Sequence, residues 1–266
     1  MSLKIVRAFL VAGLTGCGVG ELPEDAPNAE PVGSTEGEVI VGSLNWYNVT
    51  ELSPTSTQRA RSKAVGYLSI PAKGARCTAW LIANDKIVTN NHCIGSSAEA
   101  AGARASFNYE EGVASTSRIW YDCPTLVRTW TNEDMSVLAC KPLNGYYPGQ
   151  VYGKLTVASS NAANSSSVYI IHQNCETTVD SSCVPTKKYS LGTVLNTNHG
   201  AVTLTYNADT LGGSSGAPVL AGTGAANAHL VIGLHRGGGG DNYSPTAYNV
   251  GTEATALKAR LAEIGL

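Results

Sequence analysis

The sequence is short of charge and of aromatic bulk. Of its 266 residues only 14% are Asp, Glu, Lys or Arg, the net charge is −2, and there are 2 Phe and 2 Met. So little positive charge gives no basic face for nucleic acid, and after the N-terminal region no apolar run approaches the roughly 20 residues of a membrane-spanning helix. Glycine occurs 29 times, and short runs rich in Val, Thr, Ser and Tyr alternate with turn residues. This pattern predicts many short strands in place of long helices.

The first 17 residues have the layout of an export signal. Lys4 and Arg7 precede a short apolar run over residues 8–14, and the tetrapeptide Leu-Thr-Gly-Cys ends at Cys17. Basic, apolar and small-residue regions in this order predict secretion. The tetrapeptide resembles a bacterial lipobox, which implies a lipid on Cys17 and attachment to a membrane. We therefore expect an exported protein, either a bacterial cell-envelope lipoprotein or, if Cys17 is incidental, a secreted protein.

Residues 18–38 differ in composition from everything that follows. They contain six acidic residues and three prolines, with no Lys or Arg. A segment of this kind buries too little apolar surface to order itself. It is predicted to be an acidic tether or pro-segment, which leaves residues 39–266 for the folded domain.

Six cysteines remain once Cys17 is set aside. An even number in an exported chain favours disulfide bonds. Pairing nearest neighbours is the simplest of the possible connectivities and gives Cys77–Cys93, Cys123–Cys140 and Cys175–Cys183. His172 and Cys175 have a spacing that metal ligands can use, but no second cluster accompanies them. Neither a metal nor another cofactor is therefore expected.

The stretch DTLGGSSGAPVL places Ser214 and Ser215 between small residues. Such a stretch is either an ordinary surface turn or the exposed turn of a nucleophile, where glycines let a substrate approach the backbone. A serine hydroxyl is a poor nucleophile unless a base lies within hydrogen-bond reach. That base is usually a histidine, which a buried carboxylate orients.

Candidates for both partners lie earlier in the chain. His92 follows a predicted hairpin, whose strands at residues 80–82 and 86–88 flank a turn at 84–85. Asp134 opens an apolar run over residues 135–140, where a carboxylate is partly desolvated; Glu133 and Asp122 are weaker rivals because neither directly begins that run.

The order of the three candidates is His92, Asp134, Ser215. The opposite order, serine then acid then histidine, belongs to α/β-hydrolases. It fails here because no Asp or Glu lies between Ser215 and either of the later histidines, His229 and His235.

Four blocks, from about residue 64 to the C-terminus, resemble the chymotrypsin-fold serine peptidases, and most closely their bacterial glutamyl endopeptidase branch. The blocks are Thr89-Asn90-Asn91-His92 with Cys77 and Cys93, Asp134 with its apolar strand, GGSSGAP over residues 212–218, and VIGLHRGG over residues 231–238. The resemblance implies an all-β fold of two antiparallel barrels, at about 64–145 and 152–250, joined near 144–152. The amphipathic ending at about 253–264 predicts a C-terminal helix.

The resemblance also implies the chemistry. His92 would be the general base, Asp134 would orient it, and Ser215 would attack a peptide carbonyl to form an acyl-enzyme. The backbone N–H groups of Gly213 and Ser215 would form the oxyanion hole. The backbone of Arg236, Gly237 and Gly238 would pair with an extended substrate.

Substrate preference is predicted by two competing sets of residues. His235 and Thr210 match positions at which glutamyl endopeptidases hold a Glu carboxylate. Asp209 lies six residues before Ser215, where trypsin-like enzymes hold a Lys or Arg side chain. We expect cleavage after acidic residues, with cleavage after Lys or Arg as the alternative.

A catalytically inactive binding lipoprotein on the same scaffold is a further alternative. In each case the expected partners are polypeptides, and the expected state is a monomer. Ile40-Val41-Gly42-Ser43 resembles the new N-terminus of activated trypsin zymogens, whose amine pairs with an Asp just before the nucleophile. Ser214 stands at that position here, so activation through that ion pair is not expected.

Overall fold

The structure, a computed structural model, describes residues 37–177, 182–200 and 202–266. The predicted signal, Cys17 and most of the acidic segment lie outside the described residues. No helix in the described ranges is long and apolar enough to cross a membrane.

The first half of the domain is an antiparallel sheet of seven strands. In spatial order they are β6 (Tyr121–Asp122), β5 (Arg104–Ser106), β2 (Val65–Ile70), β3 (Ala75–Leu81), β4 (Lys86–Thr89), β8 (Met135–Ala139) and β7 (Thr125–Trp130). The outer strands β6 and β7 do not pair with one another along this described stretch, so the sheet is a half-barrel. The strands β3 and β4 form the hairpin predicted around residues 84–85.

The second half is a closed barrel. Its strands are β9 (Ser167–Gln173), β10 (Lys187–Asn196), β11 (Thr203–Tyr206), β12 (Pro218–Ala221), β13 (Val231–Gly239) and β14 (Tyr248–Glu253). They pair in the order β10-β11-β14-β13-β12-β9, and β9 pairs again with β10 to complete the ring. The short strand β1 (Trp46–Asn48) pairs antiparallel with β10, on the edge of β10 opposite to β9.

The helices in the described ranges are short. They are α1 (Thr57–Ser62), α2 (Ser97–Ala100), α3 (Pro148–Tyr152) and α4 (Ala254–Ala262), with 3₁₀ turns at Val49–Glu51, Pro71–Lys73 and Ser115–Ser117. Helix α3 occupies the predicted junction between the halves, and α4 is the predicted C-terminal helix. Leu257 and Leu261 of α4 are buried and belong to an apolar core that includes residues of both halves.

A buried ion cluster joins the two halves. Lys187 on β10 is fully buried, and its ammonium donates to the backbone carbonyls of Ser62 and Phe107, each at 2.8 Å, and to Glu110 Oε1 at 3.0 Å. Arg59 binds both oxygens of the same carboxylate, at 2.9 and 2.6 Å. Burial lowers the pKa of Lys187 to about 8, although the charge of Glu110 opposes that shift. This cluster is one of the contacts that fasten the barrel to the half-barrel.

Three disulfide bonds are present, and they pair the cysteines as the sequence predicted: Cys77–Cys93, Cys123–Cys140 and Cys175–Cys183. The first closes the loop that ends beside His92.

Candidate active site

The three predicted catalytic residues lie on turns that meet between the half-barrel and the barrel. His92 follows β4 and Asp134 precedes β8, and these two strands are paired neighbours with Thr89 opposite Ser136. Ser215 lies in the turn before β12, and its carbonyl accepts a hydrogen bond from the backbone N–H of Thr78 on β3 at 2.8 Å. The half-barrel therefore supplies the histidine and the carboxylate, and the barrel supplies the serine.

The three side chains form a continuous hydrogen-bonded row. His92 Nδ1 lies 2.7 Å from Asp134 Oδ2, and His92 Nε2 lies 2.9 Å from Ser215 Oγ. The other oxygen of Asp134 accepts the backbone N–H of His92 at 2.9 Å. Because one carboxylate binds both the ring and the backbone of the histidine, the imidazole is fixed with Nε2 directed at the hydroxyl.

Asp134 has an unusual backbone conformation with a φ of 45°. Asp is one of the few residues other than glycine that visit this left-handed region readily. The amide of Asn90 donates to the Asp134 carbonyl at 2.8 Å, and Arg260 on α4 donates to the Glu133 carboxylate at 2.7 Å. The terminal helix thus holds the loop that carries the catalytic carboxylate. It also engages Glu133, one of the two rivals; the other, Asp122, is exposed on β6.

The glycines of GGSSG are required by both conformation and space. Gly213 has a φ of 101° and Gly216 a φ of 84°, which side-chain-bearing residues rarely adopt. A Cβ on Gly213 would lie 1.7 Å from a guanidinium nitrogen of Arg76, and one on Gly216 would lie 2.3 Å from the carbonyl oxygen of Thr78. The turn therefore presses directly against strand β3.

The two adjacent serines have different surroundings. Ser214 is fully buried, and its Oγ lies 2.7 Å from His172 Nδ1 and accepts from the Asn174 amide at 2.9 Å. Burial, with nearby positive charge, holds the pKa of His172 well below its usual range, so that ring is neutral. Ser214 is thus turned into the barrel, whereas Ser215 faces His92.

The backbone N–H groups of Gly213 and Ser215, the predicted oxyanion hole, are not used in hydrogen bonds within the described residues. Arg76 donates to the Gly212 carbonyl at 2.8 Å, and the Ala217 N–H donates to the Ser214 carbonyl at 2.9 Å. In a trans peptide the C=O and N–H point in opposite directions, so these bonds turn the N–H groups of Gly213 and Ser215 the other way.

A buried histidine lines the space beside the nucleophile. His235 on β13 is fully buried, and its Nδ1 is hydrogen-bonded to the hydroxyl of Tyr206 on β11. Its Nε2 is buried without a hydrogen-bond partner among the described residues. That nitrogen lies 3.3 Å from Glu38 Oε1, at an angle that does not make a hydrogen bond.

Glu38 forms a hydrogen bond with Ser215. Its Oε1 accepts a hydrogen bond from Ser215 Oγ at 2.7 Å, and its side chain is 5% exposed. Just before it, the Gly37 carbonyl lies so close to Gly238 on β13 that a Cβ there would be 2.9 Å away. The chain's own acidic segment therefore ends in the cleft between Ser215 and His235, against the strand expected to bind substrate.

The other two residues considered for specificity, Asp209 and Thr210, form hydrogen bonds away from the cleft. Asp209 is fully buried, and its oxygens accept the backbone N–H groups of Val41 at 2.8 Å and Asn45 at 2.7 Å. Burial raises the pKa of Asp209, and these two bonds oppose the shift. The Thr210 hydroxyl donates to the side-chain oxygen of Asn249 at 2.7 Å. Asp209 thus secures the segment around Val41 and Thr210 bonds to a neighbouring amide, so of the three only His235 is directed at the cleft.

A Ser–His–Asp row between two antiparallel β-sheets is the arrangement found in serine peptidases of the chymotrypsin type. The chain belongs to the family of the trypsin-like peptidase domain, whose model matches residues 77–234.

Solved structures share the fold at low sequence identity. A Glu endopeptidase in complex with MPD superposes with a TM-score of 0.62 at 19% identity, over 85% of this chain and 98% of that one. The Rv3671c protease of M. tuberculosis H37Rv, in its inactive form, gives a TM-score of 0.53 at 17% identity, over 78% and 91%.

One curated relative is detected at higher identity. It is the secreted RxLR effector protein 73 of Plasmopara viticola, 30% identical over an alignment of 210 residues that covers 74% of this chain. The chain spans only 50% of the length of that relative.

Sequence reasoning missed two side chains of the site. Tyr206 and Arg76 carry no motif, and only their contacts with His235 and with the Gly212 carbonyl give them a role. The contact of Glu38 with Ser215 was not predicted either.

Proposed function

We propose that this chain is an exported serine endopeptidase that cleaves peptide bonds after glutamate. The observation that carries the proposal is the position of Glu38. Its carboxylate lies between Ser215 Oγ, at 2.7 Å, and His235 Nε2, at 3.3 Å. We take this carboxylate as a stand-in for the side chain of a substrate glutamate.

The proposed mechanism follows from the triad geometry. His92 Nε2 takes the Ser215 proton as Oγ attacks the carbonyl carbon, while Asp134 stabilises the imidazolium. The N–H groups of Gly213 and Ser215 donate to the oxygen that becomes negative. Removing one such donor lowers kcat by about 10²–10³-fold. His92 then gives its proton to the departing amine, leaving an acyl-enzyme. Water activated by the same histidine hydrolyses that ester and restores Ser215.

Two features favour an acidic over a basic substrate side chain. His235 offers a ring nitrogen that is buried and unsatisfied, and leaving such a group unpaired costs about 1–3 kcal/mol. A carboxylate would satisfy it. Asp209, which would attract Lys or Arg, has both oxygens occupied by backbone N–H groups of residues 41 and 45.

Export and anchoring are the second part of the proposal. Three disulfide bonds fit an oxidising compartment. We propose that Cys17 carries the lipid, that the acidic segment spaces the domain from the membrane, and that the enzyme acts on polypeptides as a monomer.

A peptide library tests the specificity. The full chain and a Glu38→Ala chain, in which the cleft is vacated, are each profiled for the residue that precedes the cleaved bond. We expect Glu to dominate. His235→Ala should lower kcat/KM for Glu peptides about 10- to 100-fold, because it removes a donor to a charged group.

The matched control is His229→Ala, which changes a partly exposed histidine of the same barrel and should leave kcat/KM unaltered. A profile dominated by Lys or Arg would overturn the assignment of substrate class while leaving the peptidase assignment standing.

A further inference from the structure

The hydroxyl of Tyr206 has a single partner in the described residues. Tyr206 is fully buried on β11, and its hydroxyl contacts only His235 Nδ1. Burial raises the pKa of Tyr206 well above its usual value, and the negative charge of the nearby Glu38 raises it further. The hydroxyl therefore keeps its proton.

That proton determines which nitrogen of His235 carries hydrogen. A phenol has one proton to donate, and a neutral imidazole has one nitrogen that donates and one that accepts. If the hydroxyl donates to its one hydrogen-bond partner among the described residues, Nδ1 accepts and the proton of a neutral ring lies on Nε2. This is the nitrogen that faces the carboxylate of Glu38.

We infer that Tyr206 is a positioning residue for acidic specificity: by donating to Nδ1 it favours the His235 tautomer whose Nε2–H is presented to a substrate carboxylate. The inference rests on the proposed cleavage after glutamate. In the other tautomer the Nε2 lone pair would face the carboxylate, and two acceptors would meet in a buried site. Without the hydroxyl, neither tautomer is imposed.

The test replaces Tyr206 by Phe in the full chain that carries Glu38→Ala. Two quantities are measured: the ratio of kcat/KM for peptides with Glu and with Gln before the cleaved bond, and the ¹⁵N NMR signals of His235, which distinguish a protonated from an unprotonated ring nitrogen. We expect the Glu-to-Gln ratio to fall by about tenfold, because the variant weakens one hydrogen bond to a charged group. The His235 signals should change from Nε2–H alone to a mixture.

Tyr169→Phe is the matched control. Tyr169 is another buried tyrosine of the same barrel, and its hydroxyl lies 3.1 Å from Nδ1 of a different histidine, His229. It should alter neither the ratio nor the His235 signals.

The outcomes separate this inference from the proposed function. If the parent chain shows no preference for Glu, the proposed function fails. If it prefers Glu and Tyr206→Phe leaves both quantities unchanged, the inference about Tyr206 fails alone. A parent spectrum with hydrogen on Nδ1 of His235 would also overturn it, even if the Phe variant did not fold.

The contact between Ser215 and Glu38 carries a second inference. The segment that delivers Glu38 is held by its backbone: the Val39 N–H donates to Asn249 Oδ1 at 3.2 Å, and the Val39 carbonyl accepts from Asn249 Nδ2 at 2.8 Å. The Val41 N–H is bound by Asp209. The carboxylate is thus kept in the cleft by a clamped segment.

We propose that Glu38 keeps the unprocessed chain latent. A Ser215 proton that is donated to Glu38 is not donated to His92. The carboxylate also occupies space beside Ser215 that a substrate must enter, and its charge opposes the negative charge that forms during attack. Cleavage after Glu38 removes both effects, and it also releases the active domain from the lipid proposed on Cys17.

The test is the rate at which a fluorophosphonate labels the intact full chain, with chain length checked by mass spectrometry. Glu38→Ala should label about 10- to 100-fold faster than the wild type, as expected from losing a hydrogen bond to a charged acceptor. Glu51→Ala, which removes an exposed carboxylate in the 3₁₀ turn Val49–Glu51, should label at the wild-type rate. Equal rates for intact wild type and Glu38→Ala would overturn the proposal.

Discussion

Glu110→Gln tests how the two halves of the domain are held together. The substitution keeps the size of the side chain but removes the charge that faces the fully buried ammonium of Lys187 at 3.0 Å and the guanidinium of Arg59 at 2.6 Å. Breaking a buried ion pair by removing one partner costs about 3–5 kcal/mol, because the other charge remains buried without compensation. We expect a loss of that size in the free energy of unfolding.

Urea denaturation with linear extrapolation measures this loss. Asp85→Asn is the control, since it breaks a half-exposed pair with Lys86 at 3.0 Å, and exposed pairs contribute about 0–1 kcal/mol. A loss for Glu110→Gln no larger than that of the control would refute the reasoning that the cluster fastens barrel to half-barrel.

The pH dependence gives an independent check on the same cluster. The pKa of Lys187 is about 8 in the folded protein, against an ordinary value of 10.5. Between these values the unfolded chain holds the proton that the folded chain has released, so the contribution of Lys187 to the free energy of unfolding rises with pH. Without the charge of Glu110, which raises the pKa, the rise should begin at a lower pH.

Three further predictions concern the site and the anchor. Asp134→Asn should lower kcat by about 10⁴-fold, because His92 would then be held in the wrong tautomer; steady-state kinetics measures it, and a loss below tenfold would contradict the assigned role. Arg76→Ala should lower kcat by about 10²-fold with little change in KM, because the peptide that presents the Gly213 N–H is no longer fixed; an effect on KM alone would contradict that reasoning. Cys17→Ser should abolish labelling by a fatty-acid analogue in cells that export the protein, and equal labelling of both chains would rule out the lipid anchor.

The triad blocks were predictable because each is a local pattern. His92 is followed at once by a cysteine and preceded by a hairpin, Asp134 directly precedes a buried strand, and Ser215 lies among glycines that the turn requires. Family resemblance then put the three in order. Nearest-neighbour pairing was enough to predict the disulfides, whose partners are 8 to 17 residues apart.

The contents of the cleft were not predictable in the same way. The contact between Glu38 and Ser215 spans 177 positions in sequence. His235 lies in one of the recognised blocks, but its partner Tyr206 lies on a strand without a motif. The alternatives for Asp209 were undecided because its direction depends on the distant backbone N–H groups of Val41 and Asn45. The sequence also did not indicate that the first sheet stays open as a half-barrel, with the two-residue strand β6 at one end.

The most direct test of the central claim is to identify the residue that a fluorophosphonate modifies. The Glu38→Ala chain is labelled, digested and mapped by tandem mass spectrometry, with Ser214→Ala and Ser215→Ala variants treated in parallel. Our account predicts a single adduct on Ser215, which is retained in Ser214→Ala and lost in Ser215→Ala. An adduct on Ser214, or no adduct on a folded chain with its disulfides intact, would contradict it.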